Sequence, residues 1–142
     1  MSKSNTFEND LVALIFNGTD IANIADDAAS APLTNLYLSL HTADPGEAGN
    51  QSTSEATYTS YARAAVARTS AGFTVSDNTA TLTAAISFPA ATGGSSTVTH
   101  FAVGVASTGA TKILYSGTLA PSVVVTTGVT PQLGTGTTIT ED

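Results

Sequence analysis

After Glu55 the chain almost stops using charge. Residues 56–140 contain one acid, Asp77, and three bases, Arg63, Arg68 and Lys112. An ordinary soluble domain spends roughly a quarter of its residues on Lys, Arg, Asp and Glu. The polar positions here are hydroxyls instead: 25 of the 142 residues are Thr, set singly or in pairs among Val, Ala, Leu and Ile. Thr is β-branched, stiff at χ1 and suited to a pleated, half-buried surface, so this composition directs the chain to β-structure. It also suits close packing against another protein, because burying a hydroxyl costs far less than burying a charge.

The acids lie elsewhere. Eight of eleven fall in the first 55 residues, two more end the chain, and the formal charge is −7. With four Lys and Arg in total, no basic patch can neutralise a run of phosphates or an anionic bilayer, which argues against nucleic-acid and membrane partners. The absence of Cys removes disulfides, zinc–thiolate sites and thiol catalysis together. The start has no apolar core followed by a cleavage site, and no apolar run reaches the roughly 18 residues of a membrane span. Synthesis and folding in the cytoplasm are the expectation.

Residues 5–16 read as a helix, with Asn5 or Thr6 as cap, Glu8 in capping-box spacing, and Phe7, Leu11, Leu14 and Ile15 on one face. Asn17-Gly18 supplies its left-handed stop. Asp20 to Ala29 could add a second short helical turn before Pro32. From Leu33 the period becomes two: Leu36, Leu38 and Leu40 alternate with Tyr37, Ser39 and His41, a half-buried strand. Thr42 to Thr57 is turn and loop chemistry throughout, and a loop of that length is usually functional or mobile. Further strands are expected at Tyr58–Arg68, Thr79–Phe88, Val98–Ala106, Lys112–Leu119, Val123–Gly128 and Thr137–Thr140, with turns at Ser70–Gly72, Pro89–Thr97, Ser107–Ala110, Ala120–Ser122 and Pro131–Gly136. The fold expected is mainly β: a single antiparallel β-sandwich or jelly-roll-like domain over 1–142, with a helical arm (1–32), a β body (33–142) and a long loop (42–57).

Chemistry is hard to find in this chain. His41, Asp44 and Glu47 form the best local cluster for a metal or acid–base site, but their spacing fits no ligand pattern and reads better as a strand end followed by a solvated acidic turn. His100 reads as an interior or interface side chain rather than a base. Gly93-Gly94-Ser95-Ser96 lacks the Lys of a phosphate loop and precedes a strand, so it reads as a flexible turn. The four Tyr, without Trp, would make a modest sugar-stacking platform, and their hydroxyls are expected at the surface beside strands. Arg63 and Arg68, placed on opposite faces of one strand, should each need a carboxylate partner, from the acidic segment or from another subunit. Neither an enzyme nor a cofactor site is indicated.

The block Leu36-Tyr-Leu-Ser-Leu-His-Thr-Ala-Asp-Pro-Gly-Glu-Ala-Gly-Asn, with Glu55, Tyr58, Tyr61-Ala-Arg63, Val66 and Arg68, resembles a family of small virion proteins encoded by tailed phages and prophages. The resemblance continues through Ile86-Ser-Phe-Pro-Ala-Ala-Thr-Gly-Gly, Thr97-Val-Thr-His-Phe-Ala-Val-Gly and Leu114-Tyr-Ser-Gly, and includes the start from Ser4 to Leu11. It implies a virion structural protein and brings no catalytic residues. Such proteins carry loose tail-fibre labels, while some similar ones sit on heads as cement or decoration subunits. Because the chain lacks the long repetitive stretches of a fibre, the leading expectation is a capsid cement protein. It would bind and stabilise the major capsid protein shell at the virion surface as a homo-oligomer, dimer or trimer, on the lattice. The alternative is a tail-tip or tail-fibre receptor-binding module that reads glycan through Tyr58–Tyr61 and the long loop. Contact residues expected on either reading are Phe7, Glu8, Asp10 and Leu11 in the arm, Asp44 and Glu47 in the loop, and Tyr58, Tyr61, Arg63 and Arg68 beyond it.

Overall fold

The computed structural model describes residues 5–21 and 32–141. In chain order the elements are α1 (Asn5–Asn17), β1 (Asn35–His41), β2 (Ala64–Ala67), β3 (Phe73–Ser76), β4 (Thr79–Leu82), β5 (Ile86–Ser87), β6 (Ser95–Gly104), β7 (Ile113–Thr126), β8 (Gln132–Leu133) and β9 (Thr138–Thr140). A mainly β chain with antiparallel sheets and one short N-terminal helix is what the Thr-rich composition led us to expect. The second helical turn expected over Asp20–Ala29 falls largely outside the described residues.

The chain divides into two compact units, each built from non-contiguous segments. One takes α1, Ala67–Ala85 and the stretch from Gly134; the other takes Leu36–Val66 and Ile86–Leu133.

In the first unit α1 packs on a three-stranded sheet of order β3-β4-β9. The buried side chains of the helix are Val12 and Phe16, at 1% and 0% exposure. Phe16 meets Phe73 edge-on with ring centroids 4.7 Å apart. The expected face of Phe7, Leu11, Leu14 and Ile15 is corrected: the last three are half-buried and Phe7 is exposed. The stretch Leu11–Phe16 is apolar almost all round, so its periodicity allowed two stripes, and the contact with Phe73 selects one. Gly18 stops the helix at φ +65°.

Arg68 completes that helix end. Its Nε donates to the Ile15 carbonyl at 2.6 Å and its Nη2 to the Leu14 carbonyl. These carbonyls are the orphan acceptors of the last turn, where the helix dipole favours a cation, and the turn carries no basic residue of its own. Among the described residues Arg68 is met by backbone carbonyls, where a carboxylate partner was expected.

β3 and β4, joined through Asp77-Asn78, form a hairpin that the strand assignment missed. Asp77 takes φ +52°, a conformation Asp tolerates better than most residues. β9 pairs with β4, setting Ile139 opposite Ala80, both buried.

In the second unit a four-stranded sheet has the order β2-β1-β6-β7, beside a two-stranded β5-β8 ladder. The expected strand Thr79–Phe88 is thus two short strands in different sheets. The expected strand Tyr58–Arg68 shrinks to Ala64–Ala67, with both arginines outside it. Ser39 and His41 in β1 are as inaccessible as Leu36, Leu38 and Leu40, so both faces of this strand are covered; the half-buried alternation holds only at its start. The turn expected at Ala120-Pro121-Ser122 lies inside β7. Between Val123↔Val98 and Thr118↔His100 the register slips, so residues 119–122 bulge opposite Thr99. β7 is an edge strand, where a bulge tolerates the missing proline N–H.

Candidate functional site

The second unit holds a buried polar network around the long loop. The loop returns antiparallel to the end of β1: Thr42 N donates to the Ser54 carbonyl at 2.8 Å and Ala56 N to the Leu40 carbonyl at 2.8 Å. His41 locks the return. Its Nδ1–H donates to the Thr53 carbonyl at 2.8 Å, which leaves Nε2 to accept from Ser39 Oγ at 2.9 Å. Burial holds the imidazole below its ordinary pKa, outweighing the bond to Thr53 and the nearby Glu55 carboxylate. Ser39 and His41 are both at 0% exposure, so this pair cannot reach a substrate.

Glu55 ends the loop and meets Arg63 as a two-pronged ion pair, Nε to Oε1 at 2.7 Å and Nη2 to Oε2 at 2.8 Å. The guanidinium also donates to the carbonyls of Ala106 (3.0 Å) and Gly109 (2.8 Å), fastening the β6–β7 connection. The Glu55 contacts raise the pKa of Arg63 above its ordinary value against the opposing effect of burial. Tyr61 OH donates to Glu55 Oε1 at 3.0 Å and accepts from Leu40 N at 3.0 Å. Burial pushes its phenol pKa well up.

Gln51, at 0% exposure, is a pinning side chain of this network that no signal in the sequence singles out. Its Oε1 accepts from Thr111 Oγ1 (2.6 Å), Val105 N (3.1 Å) and Ala106 N (3.3 Å), and its Nε2 donates to the Tyr37 carbonyl at 3.3 Å. Gly104 makes room for it: a Cβ there would stand 2.0 Å from Gln51 Cδ. In the sequence Gln51 sits in a polar run without periodicity and reads as solvated loop. The long loop is therefore pinned at His41, Gln51 and Glu55 rather than hanging free.

Outside this network lies a cleft of about 430 Å³ between the acidic turn (Asp44, Gly46, Glu47, Gly49) and the first residues of β7. Asp44 and Glu47 are part of its wall. Glu47 is exposed there, in keeping with the solvated acidic turn expected of the pair. Among the described residues no group of His, Asp and Glu could hold a metal ion.

The structure brings Tyr61 and Arg63 into one network, and Asp44 and Glu47 into one cleft wall. Phe7, Glu8, Asp10, Leu11 and Arg68 belong to the other unit. Glu8, Asp10 and Leu11 are half-buried on α1. Tyr58 is 2% exposed, and its hydroxyl donates to the Pro89 carbonyl at 3.0 Å. Its expected surface hydroxyl is thus corrected, as is that of Tyr61, and Tyr58 has no free face on which a sugar could stack. Tyr58 instead packs edge-on against Tyr61, centroids 5.4 Å apart. His100 is half-buried, its ring between Thr99 Oγ1 (2.9 Å) and Thr118 Oγ1 (3.3 Å).

A family model described as podophage GP4 fiber I protein gp80 matches residues 2–140. The chain belongs to this family. No curated protein matches it. Membership of the gp80 fiber family makes the chain a structural protein of a phage particle, as its resemblance to small virion proteins led us to expect. The description speaks of a fibre rather than of capsid cement, and agrees with the tail-fibre alternative at least as well as with a place on the shell.

Proposed function

We propose that the chain is a non-enzymatic structural subunit of a podophage fibre, assembled from several copies and joined to the rest of the tail through protein contacts. The observation that carries this reading is the fibre description of a family whose match runs from residue 2 to residue 140. The geometry supports it: Arg63 and Glu55 are consumed in holding the loop and the β6–β7 connection, and the Ser39–His41 pair is sealed, so the strongest polar groups of this unit serve rigidity. A neutral, hydroxyl-rich set of strands suits packing among copies.

The test is location and copy number. Tails and heads separated from purified particles, with peptide counts normalised to the major capsid protein, should place the chain in the tail fraction at a small number of copies per particle. Hundreds of copies on tail-less heads would overturn the fibre reading in favour of capsid cement.

A further inference from the structure

In the unit containing the four-stranded sheet, β7 is the last strand and, among the described strands, pairs only with β6. A terminal strand offers a row of unpaired N–H and C=O groups to any extended chain, and proteins usually blunt such edges with charges, bulges or a cover. β7 is 14 residues long and carries no charged side chain. Its bulge at 119–122 interrupts the middle, and a second register shift at Leu114 leaves Tyr115–Thr118 as the regular stretch between them.

The first part of β7 borders the open cleft of about 430 Å³, within the size range of ligand-binding clefts. The half-buried Ile113 and Leu114 give it apolar surface, and the acidic turn forms the facing wall. That wall has a fixed shape. Gly46 N donates to Asp44 Oδ1 at 2.9 Å, Gly49 N donates to the Gly46 carbonyl at 3.1 Å, and a Cβ on Gly49 would fall 2.0 Å from the Pro45 carbonyl. Among the described residues the lining includes two carboxylates and no base.

We propose that this cleft receives an extended segment of another protein bearing Lys or Arg at alternate positions, added as a strand to the β7 edge with its cations against Asp44 and Glu47. Alternate residues of a strand share one face, so one segment can place two cations on the acidic wall while its backbone pairs with β7, a recognised mode of peptide capture. Charge identifies the occupant as a different protein. This chain has four bases, of which Arg63 and Arg68 are committed to internal contacts. No two of the four stand two positions apart in the sequence, so a second copy has no segment with two cations in alternation. The inference goes beyond the fibre reading and holds wherever in the particle the chain resides.

The probe is a terminally blocked hexapeptide of alternating Val and Lys, followed by fluorescence polarisation and by amide hydrogen exchange of the full chain. The peptide should bind, slow exchange within Ile113–Ser116, and lose affinity with added salt. The double variant Asp44→Asn, Glu47→Gln should weaken binding about tenfold, the scale of two exposed ion pairs. The amide introduced by Asp44→Asn keeps an acceptor for Gly46 N–H, and an unchanged urea midpoint confirms that the variant folds. Equal affinity for wild type and variant would overturn the proposal, as would binding that protects no β7 amide. Tight binding of a Val–Glu peptide would overturn it too.

Discussion

The contact between Gly104 and Gln51 makes a sharp quantitative prediction. Gln51→Ala removes four hydrogen bonds; at about 1 kcal/mol each, the loss is about 4 kcal/mol, a large share of a typical folding free energy. Gly104→Ala should cost at least as much. Its methyl would occupy the position of the amide, 2.0 Å from Cδ, so the same bonds break and overpacking adds about 1–3 kcal/mol. In the double variant the amide is gone, and the added methyl sits in vacated space on a strand where Ala is intrinsically better than Gly by about 0.5–1 kcal/mol. The double variant should therefore be about as stable as Gln51→Ala alone, rather than about 9–11 kcal/mol below wild type, the sum of the two losses. Urea unfolding of all four proteins, followed by far-ultraviolet circular dichroism, completes the cycle. If Gly104→Ala costs the same with and without Gln51, the two residues do not compete for the same space and the reasoning fails.

Arg63→Met should destabilise the chain by about 3–5 kcal/mol, because it leaves the Glu55 carboxylate in place without its guanidinium; the double variant with Glu55→Leu should recover part of that loss in the same unfolding assay. Arg68→Ala should cost about 2 kcal/mol by removing charge-assisted bonds to the end of α1. Arg68→Lys should recover only part of the thermal midpoint, since an ammonium cannot fork across two carbonyls. His41 has a folded pKa lowered from 6.5 by burial. Between that lowered value and 6.5 the unfolded chain binds a proton that the folded chain refuses, so stability falls as pH drops below 6.5, by at most about 1.4 kcal/mol per pH unit. His41→Gln should flatten the urea midpoint between about pH 7 and pH 5.5; an unchanged slope would contradict the sealed, neutral imidazole.

The strands of high β-propensity were legible in the sequence, and so was α1 with its Gly18 stop, because those signals are local. What escaped is what tertiary packing decides. The apolar run of α1 allowed two faces, and only Phe73 distinguishes them. The run Thr79–Phe88 looks continuous, yet nothing local reveals that its two ends pair with β9 and β8. Charge scarcity did reveal that Arg63 needed a carboxylate, and Glu55 supplies it. The same argument did not reveal what meets Arg68 within the chain, because helix-end carbonyls are acceptors that composition never displays. Gln51 was invisible because its partners come from Tyr37, Val105, Ala106 and Thr111, which adjoin it only after the sheet has formed.

The pairing of β4 with β9 has a consequence for biosynthesis. During translation the unit containing α1 cannot close when its first segments emerge, since β9, which covers the second edge of β4, is made after every strand of the other unit. Until then Ala80 and its neighbours present an open edge at the ribosome surface. A product cut short before Thr138 would keep that edge permanently, while still encoding the strands of both sheets in the other unit. Closure of this unit is in this way tied to translation past Thr140: only a chain read through β9 can hide that edge of β4.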